Sequence, residues 1–403
     1  MTASLLHNVR ALRPGVGVVG SAVLVEDGRI VAIDPPADLL PSDLNRVDGG
    51  GRLLTPGLID LHIHGLGLYL FEDSPEAMQA GLAELPRYGV TRVLPTLYRV
   101  MNKASLPKLA KLTAALKDVT AVRVPGFHLE GPFLALPGAG SETVPGDLAL
   151  LDALFEATDG CITAMSVSPD TLDVIPVIER LAEHGVAVFL THTRANVEQS
   201  EAAIEAGARH ATHFYDVFPV PDATEPGVRP TGVVEAVLAD ERVSVDFILD
   251  GVHVPPVAVR AALAAKGPRR TALITDGNIG AGLPVGSRHK AWELEVRVAE
   301  DGAARIHAPG TPKHGALAGS ALTMNRAVNH ARQWLGLPEQ DAWAMATLAP
   351  GRLLNGEMIG DLVAGADADL VLWDEPEGEL VARQTWVAGR LVYNTSDTME
   401  MSH

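Results

Sequence analysis

The sequence is short of several things, and each shortage excludes a class of protein. It has one cysteine, Cys161, in 403 residues. An internal disulfide is therefore impossible, and a reducing compartment fits. Cys161 falls in an apolar run and reads as a small core residue. Aromatic residues make up only 4% of the chain, so a core must be built from Ala, Val, Leu and Ile, the residues that fill buried parallel strands. No apolar run approaches the roughly 20 residues that cross a bilayer. The opening MTASLLHNVRAL lacks a basic start followed by a long apolar stretch, so a secretory signal is not expected. Basic residues are outnumbered, 32 Lys and Arg against 50 Asp and Glu, for a formal net charge of −18. Nucleic acid and anionic membrane surfaces are poor partners for such a chain. The expectation is a cytoplasmic protein acting on a small molecule.

What is present is order. SAVLVEDGRIVAI places an Asp-Gly turn between two β-rich runs, a hairpin signal. Near the other end, ADLVLWD and TWVAGRLVYN read as short strands. Neither end carries enough apolar surface for a core of its own, so residues 1–54 and 355–395 are expected to form one small β-sandwich module. Between them, strand-like runs begin at GLIDLHIHG, TRVLPTL, VRVPGFHLEG, CITAMSVSP, VAVFLTHT, HATHFYD, VSVDFILDG and TALITDG. Segments such as PEAMQAGLAELPRYG and NVEQSEAAIEAGA, apolar at helical spacing, separate them. Strand–helix units repeated in this way predict a (β/α)8 barrel, an α/β fold of the TIM type, over residues 55–354. An open doubly wound sheet is disfavoured, because no glycine-rich phosphate loop follows the first strand. Residues 278–318 interrupt the pattern and read as an inserted hairpin.

The polar residues gather at strand ends, where barrel enzymes keep their active sites. His62 and His64 end the first strand two apart, so they share a face. His128 and Glu130 end the third with the same spacing, and His128 reads as shielded behind Glu130. His192 ends the fifth strand, His213 the sixth and Asp276 the eighth. A lone buried histidine is more often a hydrogen-bonded core residue than a ligand. Several at equivalent ends of successive strands, with carboxylates and no thiolates, instead suit one or two divalent ions. Zinc is the expected ion, and iron, manganese or cobalt accept the same donors. Such an ion brings the pKa of bound water to roughly 7. Asp276, beside it, stays ionised and serves as general base and then acid. His184, His210, His289, His307, His314 and His330 follow no such pattern and read as surface or structural.

Taken together, PGLIDLHIHG, HLEGPF, ATHFYD, DGVHV, ITDG, LAGSALTM and the closing GDLVAGADADLVLWD resemble the N-acetylglucosamine-6-phosphate deacetylase family of the amidohydrolase superfamily. The resemblance runs from about residue 20 to residue 390. It implies that Glu130, His192 and His213 are the principal metal ligands, that His62 and His64 help hold a second ion bridged by the glutamate, and that Asp276 is catalytic. It implies that His253 binds the sugar or its phosphate, that Leu317, Gly319 and Ser320 line the acetyl and sugar pocket, and that the protein is a homodimer whose phosphate site draws on the neighbouring subunit. The implied reaction releases acetate from N-acetylglucosamine 6-phosphate.

Three positions depart from the family pattern. GAGSETVPG puts Glu142 where members often carry a histidine against the acetyl carbonyl. YDVF puts Asp216 where they carry an uncharged asparagine. Thr224, Glu225, Pro226 and Gly227 stand where they read Arg-Glu-Pro-Gly. A phosphate site gains from arginine and loses from carboxylate, so Arg194 and Arg229 are the expected substitutes for the missing cation. The competing reading keeps the same metal centre for a different, unphosphorylated N-acyl amine or cyclic amide. A non-catalytic barrel would have lost some of Glu130, His192, His213 and Asp276, and all four are present.

Overall fold

The structure, a computed structural model, describes residues 3–138, 143–291, 294–354, 356 and 358–395. Two sheets organise it. Eight parallel strands run Leu58–Ile63, Val90–Leu97, Phe127–Glu130, Ile162–Val167, Ala187–Leu190, Ala208–Ala211, Ser244–Ile248 and Thr271–Ile274, each hydrogen-bonded to the next in chain order. These are the eight runs expected from the sequence. The seam between the last and the first is joined by short main-chain contacts at their C-terminal ends. Asp276 N–H donates to His62 O over 2.8 Å, and His64 N–H to Gly277 O over 2.8 Å. Barrel closure therefore sets Asp276 against the His62–His64 pair.

Three of the helices between strands begin at a capping side chain, Ser74, Asp147 and Asn196. The Ser74 hydroxyl accepts from Ala77 N at the head of Pro75–Glu84, and Asn196 forms a reciprocal capping box with Gln199 at the head of Val197–Ala206. Each such cap contributes about 1 kcal/mol. The apolar faces of these helices close over the barrel in one continuous core that includes Leu82, Ile178, Ile204 and Phe247. Cys161 does not join it; the residue is part-exposed just before the fourth strand, because Gly160 turns the chain at the surface there.

The second sheet takes strands from both termini. Ala3–Arg13, Gly17–Glu26, Arg29–Ile33 and Leu44–Pro56 meet Leu370–Asp374, Val381–Val387 and Arg390–Asn394 in one seven-stranded sheet. The join is an antiparallel ladder in which Leu54 faces Leu372. Leu6, Val23, Ile30, Leu54, Leu370 and Trp386 form its own small core. The Asp27–Gly28 turn has φ of 49° and 77°, and a Cβ on Gly28 would lie 3.0 Å from Ala388 O. Only glycine allows the two edge turns to approach so closely.

Trp373 locks this sheet to the barrel. It is buried, its Nε1–H donates to Thr55 Oγ1 over 2.9 Å, and its ring lies across Gly89, where a Cβ would fall 2.2 Å from Trp373 Cη2. Trp373→Ala is expected to destabilise the protein by about 3–5 kcal/mol, read as a fall in the urea midpoint at unchanged slope. An unchanged midpoint would mean that the two sheets do not depend on this contact.

The insertion differs from expectation. It is a three-stranded antiparallel sheet, Arg288–Ala291, Leu294–Val298 and Ala304–His307, and not a hairpin. Its first strand, RHKA, is too short and polar to announce itself by alternation. Val296, Val298 and Ile306 pack on Leu70, Ile279 and Ala318 beside the barrel mouth. Among the described residues, no helix is long and apolar enough to cross a membrane.

Candidate metal centre and active site

At the C-terminal ends of the barrel strands, five of the expected side chains converge on one carboxylate. Glu130 Oε1 lies 3.1 Å from His192 Nε2 and 3.1 Å from His213 Nε2. The other oxygen, Oε2, lies 3.4 Å from His64 Nε2 and 3.6 Å from His62 Nε2. Asp276 Oδ1 stands 3.1 Å from His64 Nε2 and 3.6 Å from His62 Nε2. All six groups are buried.

Backbone geometry does part of the aiming. His192, His213 and Asp276 each follow the end of a strand by two residues, and all three have positive φ, 48°, 35° and 45°. A non-glycine residue in this region carries strain of order 1–3 kcal/mol, tolerated where the surroundings over-determine it. The effect is to turn each side chain from the barrel wall into the mouth.

The far side of the imidazoles sets their protonation. His64 Nδ1 lies 3.1 Å from Thr96 O, and His213 Nδ1 lies 3.3 Å from Asp216 O. A carbonyl only accepts. Each Nδ1 therefore carries the hydrogen, and with a cation in place each Nε2 would turn its lone pair toward the centre, where Thr191 Oγ1 also lies 3.1 Å from His213 Nε2. That arrangement is the usual one for metal-ligating histidine. Asp276 Oδ1 adds an orphaned acceptor, buried and without a hydrogen bond of good geometry among the described residues. His62, Glu130 and His213, and separately His62, His64 and Asp276, bring donor atoms within 4.8 Å of one another. These nitrogen and oxygen donors fit a divalent metal.

Without a cation the cluster takes up protons. Burial lowers the His64 pKa, but the adjacent Asp276 and Glu130 carboxylates outweigh it and bring it to about 10. His213 is likewise brought to about 10 by Glu130, against the effect of burial. Burial raises Glu130 and Asp276, and the surrounding imidazoles more than reverse this in both. A histidine that binds its proton more tightly when folded stabilises the fold below its unfolded pKa, and that stability is lost as pH rises through the folded value. Chelator-stripped protein is therefore expected to lose thermal stability between pH 6.5 and about 10. Melting curves across that range test it; a flat profile would show that the imidazoles do not hold these protons.

A cavity of about 210 Å3 opens above the cluster. His64, Glu130, His192, His213, Asp276, Asp216, His253, Leu317 and Gly319 line it, and Tyr98 and Asn278 join them. His253 Nδ1 is 2.7 Å from Asp250 Oδ2, and this carboxylate raises its pKa against the effect of burial. Asp216 makes no side-chain ion pair among the described residues.

Other expected site residues lie elsewhere. Ser320 is fully buried behind the wall, where its hydroxyl donates to Thr275 O over 2.5 Å and its N–H to Asp276 O over 2.7 Å. It braces the Asp276 turn and does not line the pocket. Arg194 is exposed, its main-chain N–H bound to Asp170. Arg229 is an exposed partner of Glu235 at 2.6 Å and lines a different cavity with Tyr215 and Phe218. Neither lines the cavity above the cluster. Glu142 lies outside the described residues. His128 is fully buried below Glu130, held by Leu61 O at 3.0 Å and Ser166 Oγ at 2.7 Å. Tyr98 and Asn278 gave no sequence signal, because one ends a strand as an ordinary aromatic and the other follows a Gly in a loop.

A model described as the Amidohydrolase family matches residues 53–392, and the chain belongs to that family. Within it, similarity runs to sugar-phosphate deacetylases. N-acetylglucosamine-6-phosphate deacetylase of Vibrio furnissii is 30% identical over 383 residues, covering 92% of this chain and 90% of that one. N-acetylgalactosamine-6-phosphate deacetylase of Escherichia coli O157:H7 is also 30% identical, covering 91% and 93%. Among solved structures, a variant of the Mycobacterium smegmatis N-acetyl-D-glucosamine-6-phosphate deacetylase in complex with N-acetyl-D-glucosamine-6-phosphate superposes with a TM-score of 0.83 at 27% identity, covering 98% of this chain and 100% of that one. The protein is thus an enzyme, a hydrolase of an amide C–N bond.

Proposed function

We propose that the protein deacetylates N-acetylglucosamine 6-phosphate, releasing acetate and the amino-sugar phosphate. The observation that carries this reading is the Glu130 carboxylate shared between two histidine pairs, with Asp276 facing the same cavity. Glu130, His192 and His213 would hold one divalent ion, zinc being favoured, and His62 and His64 a second. When bound there, the ion polarises the amide carbonyl and acidifies water. Asp276 accepts the proton of the attacking water as its oxygen joins the carbonyl carbon. It returns that proton to the amide nitrogen as the C–N bond breaks, so acetate and a free amine leave. His253, fixed by Asp250, donates to the sugar or its phosphate. Tyr98 and Leu317 keep the cavity wall partly apolar around the acetyl group.

One observation favours a second reading. No Lys or Arg lines the cavity among the described residues, whereas Asp216 does. A phosphate dianion would meet His253 and a carboxylate in one chain, and its cations would have to come from a second copy in a homodimer. A neutral N-acyl amine would need none. The deciding measurement is kcat/KM of metal-loaded enzyme on N-acetylglucosamine 6-phosphate beside N-acetylglucosamine, with the galactosamine epimers alongside. A preference for the phosphorylated sugars of 100-fold or more, about 2.7 kcal/mol, supports the proposal. Equal rates, or a preference for the free sugars, overturn its phosphate half.

A further inference from the structure

Behind the cluster a line of buried polar groups crosses the barrel interior, and the reaction as described makes no use of it. Asp246, in the strand Ser244–Ile248, is fully buried, as are His210 and Thr212 on the neighbouring strand and its end. Asp246 Oδ1 accepts from the His213 main-chain N–H over 2.5 Å. Asp246 Oδ2 lies 3.1 Å from Thr212 Oγ1 and 2.7 Å from His210 Nε2. Thr212 Oγ1 in turn lies 3.0 Å from His62 Nδ1.

The direction of these bonds follows from the number of protons available. A carboxylate offers lone pairs only, and a hydroxyl has one proton to give. Thr212 gives its proton to Asp246, so it can only accept from His62. The hydrogen of neutral His62 is then held on Nδ1. Its Nε2 lone pair is left facing Glu130 and Asp276, 3.6 Å from an oxygen of each. Meanwhile the bond to His213 N holds that residue in its left-handed turn at φ 35°, which sends the ring toward Glu130.

We propose that Asp246 is a positioning residue for the metal centre: through Thr212 it selects the His62 tautomer that leaves Nε2 free to bind a cation, and through the His213 main chain it aims a second imidazole. The inference rests on reading His62 and His213 as ligands. A merely structural carboxylate would hold the barrel together without caring which nitrogen of His62 carries the hydrogen.

Asp246→Asn separates the two. The side chains are isosteric, and the amide oxygen can keep the His213 N–H. The amide NH2 then faces Thr212 and His210 Nε2 and donates one hydrogen to each, so the His210 hydrogen moves to Nδ1, facing Ser244 Oγ. The hydroxyl proton swings to His62 Nδ1, and the His62 hydrogen moves to Nε2, where it blocks the centre. The expected result, in the histidine 15N spectrum taken before zinc is added, is that His62 switches from Nδ1–H to Nε2–H while His210 switches the opposite way, and zinc affinity is lowered about 10–100-fold. Thr212→Val should lower affinity without the switch, and Thr212→Ser should restore the wild-type spectrum and affinity. An Asp246→Asn protein with the wild-type His62 tautomer and affinity overturns the proposal. Should that variant fail to fold, the threonine pair decides: equal behaviour of Thr212→Val and Thr212→Ser overturns it, and loss in valine with rescue in serine supports it. Unchanged metal content in His62→Ala would remove the ligand reading beneath it, while the 15N spectrum would still report whether Asp246 sets the tautomer.

Discussion

Asp276→Asn is expected to lower kcat by about 10²–10⁴-fold, the range general acid–base groups contribute, while KM and bound metal change little. The asparagine is isosteric and keeps an oxygen at the site, so the imidazoles and Glu130 retain their cation. What it lacks is the capacity to take a proton from water and return it to the leaving nitrogen. The two main-chain bonds that place residue 276, from its N–H to His62 O and from Ser320 N–H to its own carbonyl, involve no side chain of 276 and survive the change. Steady-state kinetics and elemental analysis on the same preparation give both numbers. Metal lost in proportion to activity would make Asp276 an essential ligand, and near-normal turnover would remove it from the proton path.

The second large effect belongs to Glu130. Its two oxygens face two pairs of imidazoles, so Glu130→Gln removes the shared negative charge from both at once. An amide keeps one acceptor oxygen and presents an NH2 to the other pair, whose Nε2 lone pairs would then point at donor hydrogens in place of a cation. The expected outcome is a protein that folds, retains less than one ion per chain and has lost activity by well over the 100-fold typical of second-layer changes. Elemental analysis after dialysis checks it. A variant that holds the wild-type amount of metal would show that Glu130 does not bridge the two pairs.

The strand ends were legible in the sequence because two independent patterns coincide there. A β-branched run announces a barrel strand, and an imidazole or carboxylate where the run stops marks the mouth. His62, His64, Glu130, His192, His213 and Asp276 satisfy both. Asp246 and His210 satisfy only the first, since a charged residue in mid-strand looks the same whether it faces solvent or a buried partner 36 positions away. Arg194 and Arg229 were plausible in sequence because both lie close to site motifs. Arg194, two positions past His192, is turned outward, and Glu235 holds Arg229 at the surface. Ser320 was placed in the right neighbourhood but on the wrong side of its own backbone. The first strand of the insertion, Arg288–Ala291, was missed because four residues cannot establish a period of two.

The sheet built from both termini has a consequence for how the molecule is made. The last barrel strand, Thr271–Ile274, leaves the ribosome roughly 100 residues before Leu370–Asp374, the strand that pairs with Leu44–Pro56, a gap of about 5–20 s at ordinary synthesis rates. For that interval the long edge of Leu44–Pro56 has no partner on one side, and unpaired edges of this kind invite other chains. The nascent polypeptide therefore finishes its catalytic half first and waits for its tail. In-frame stop codons before residue 370 should yield aggregates rather than a smaller working enzyme.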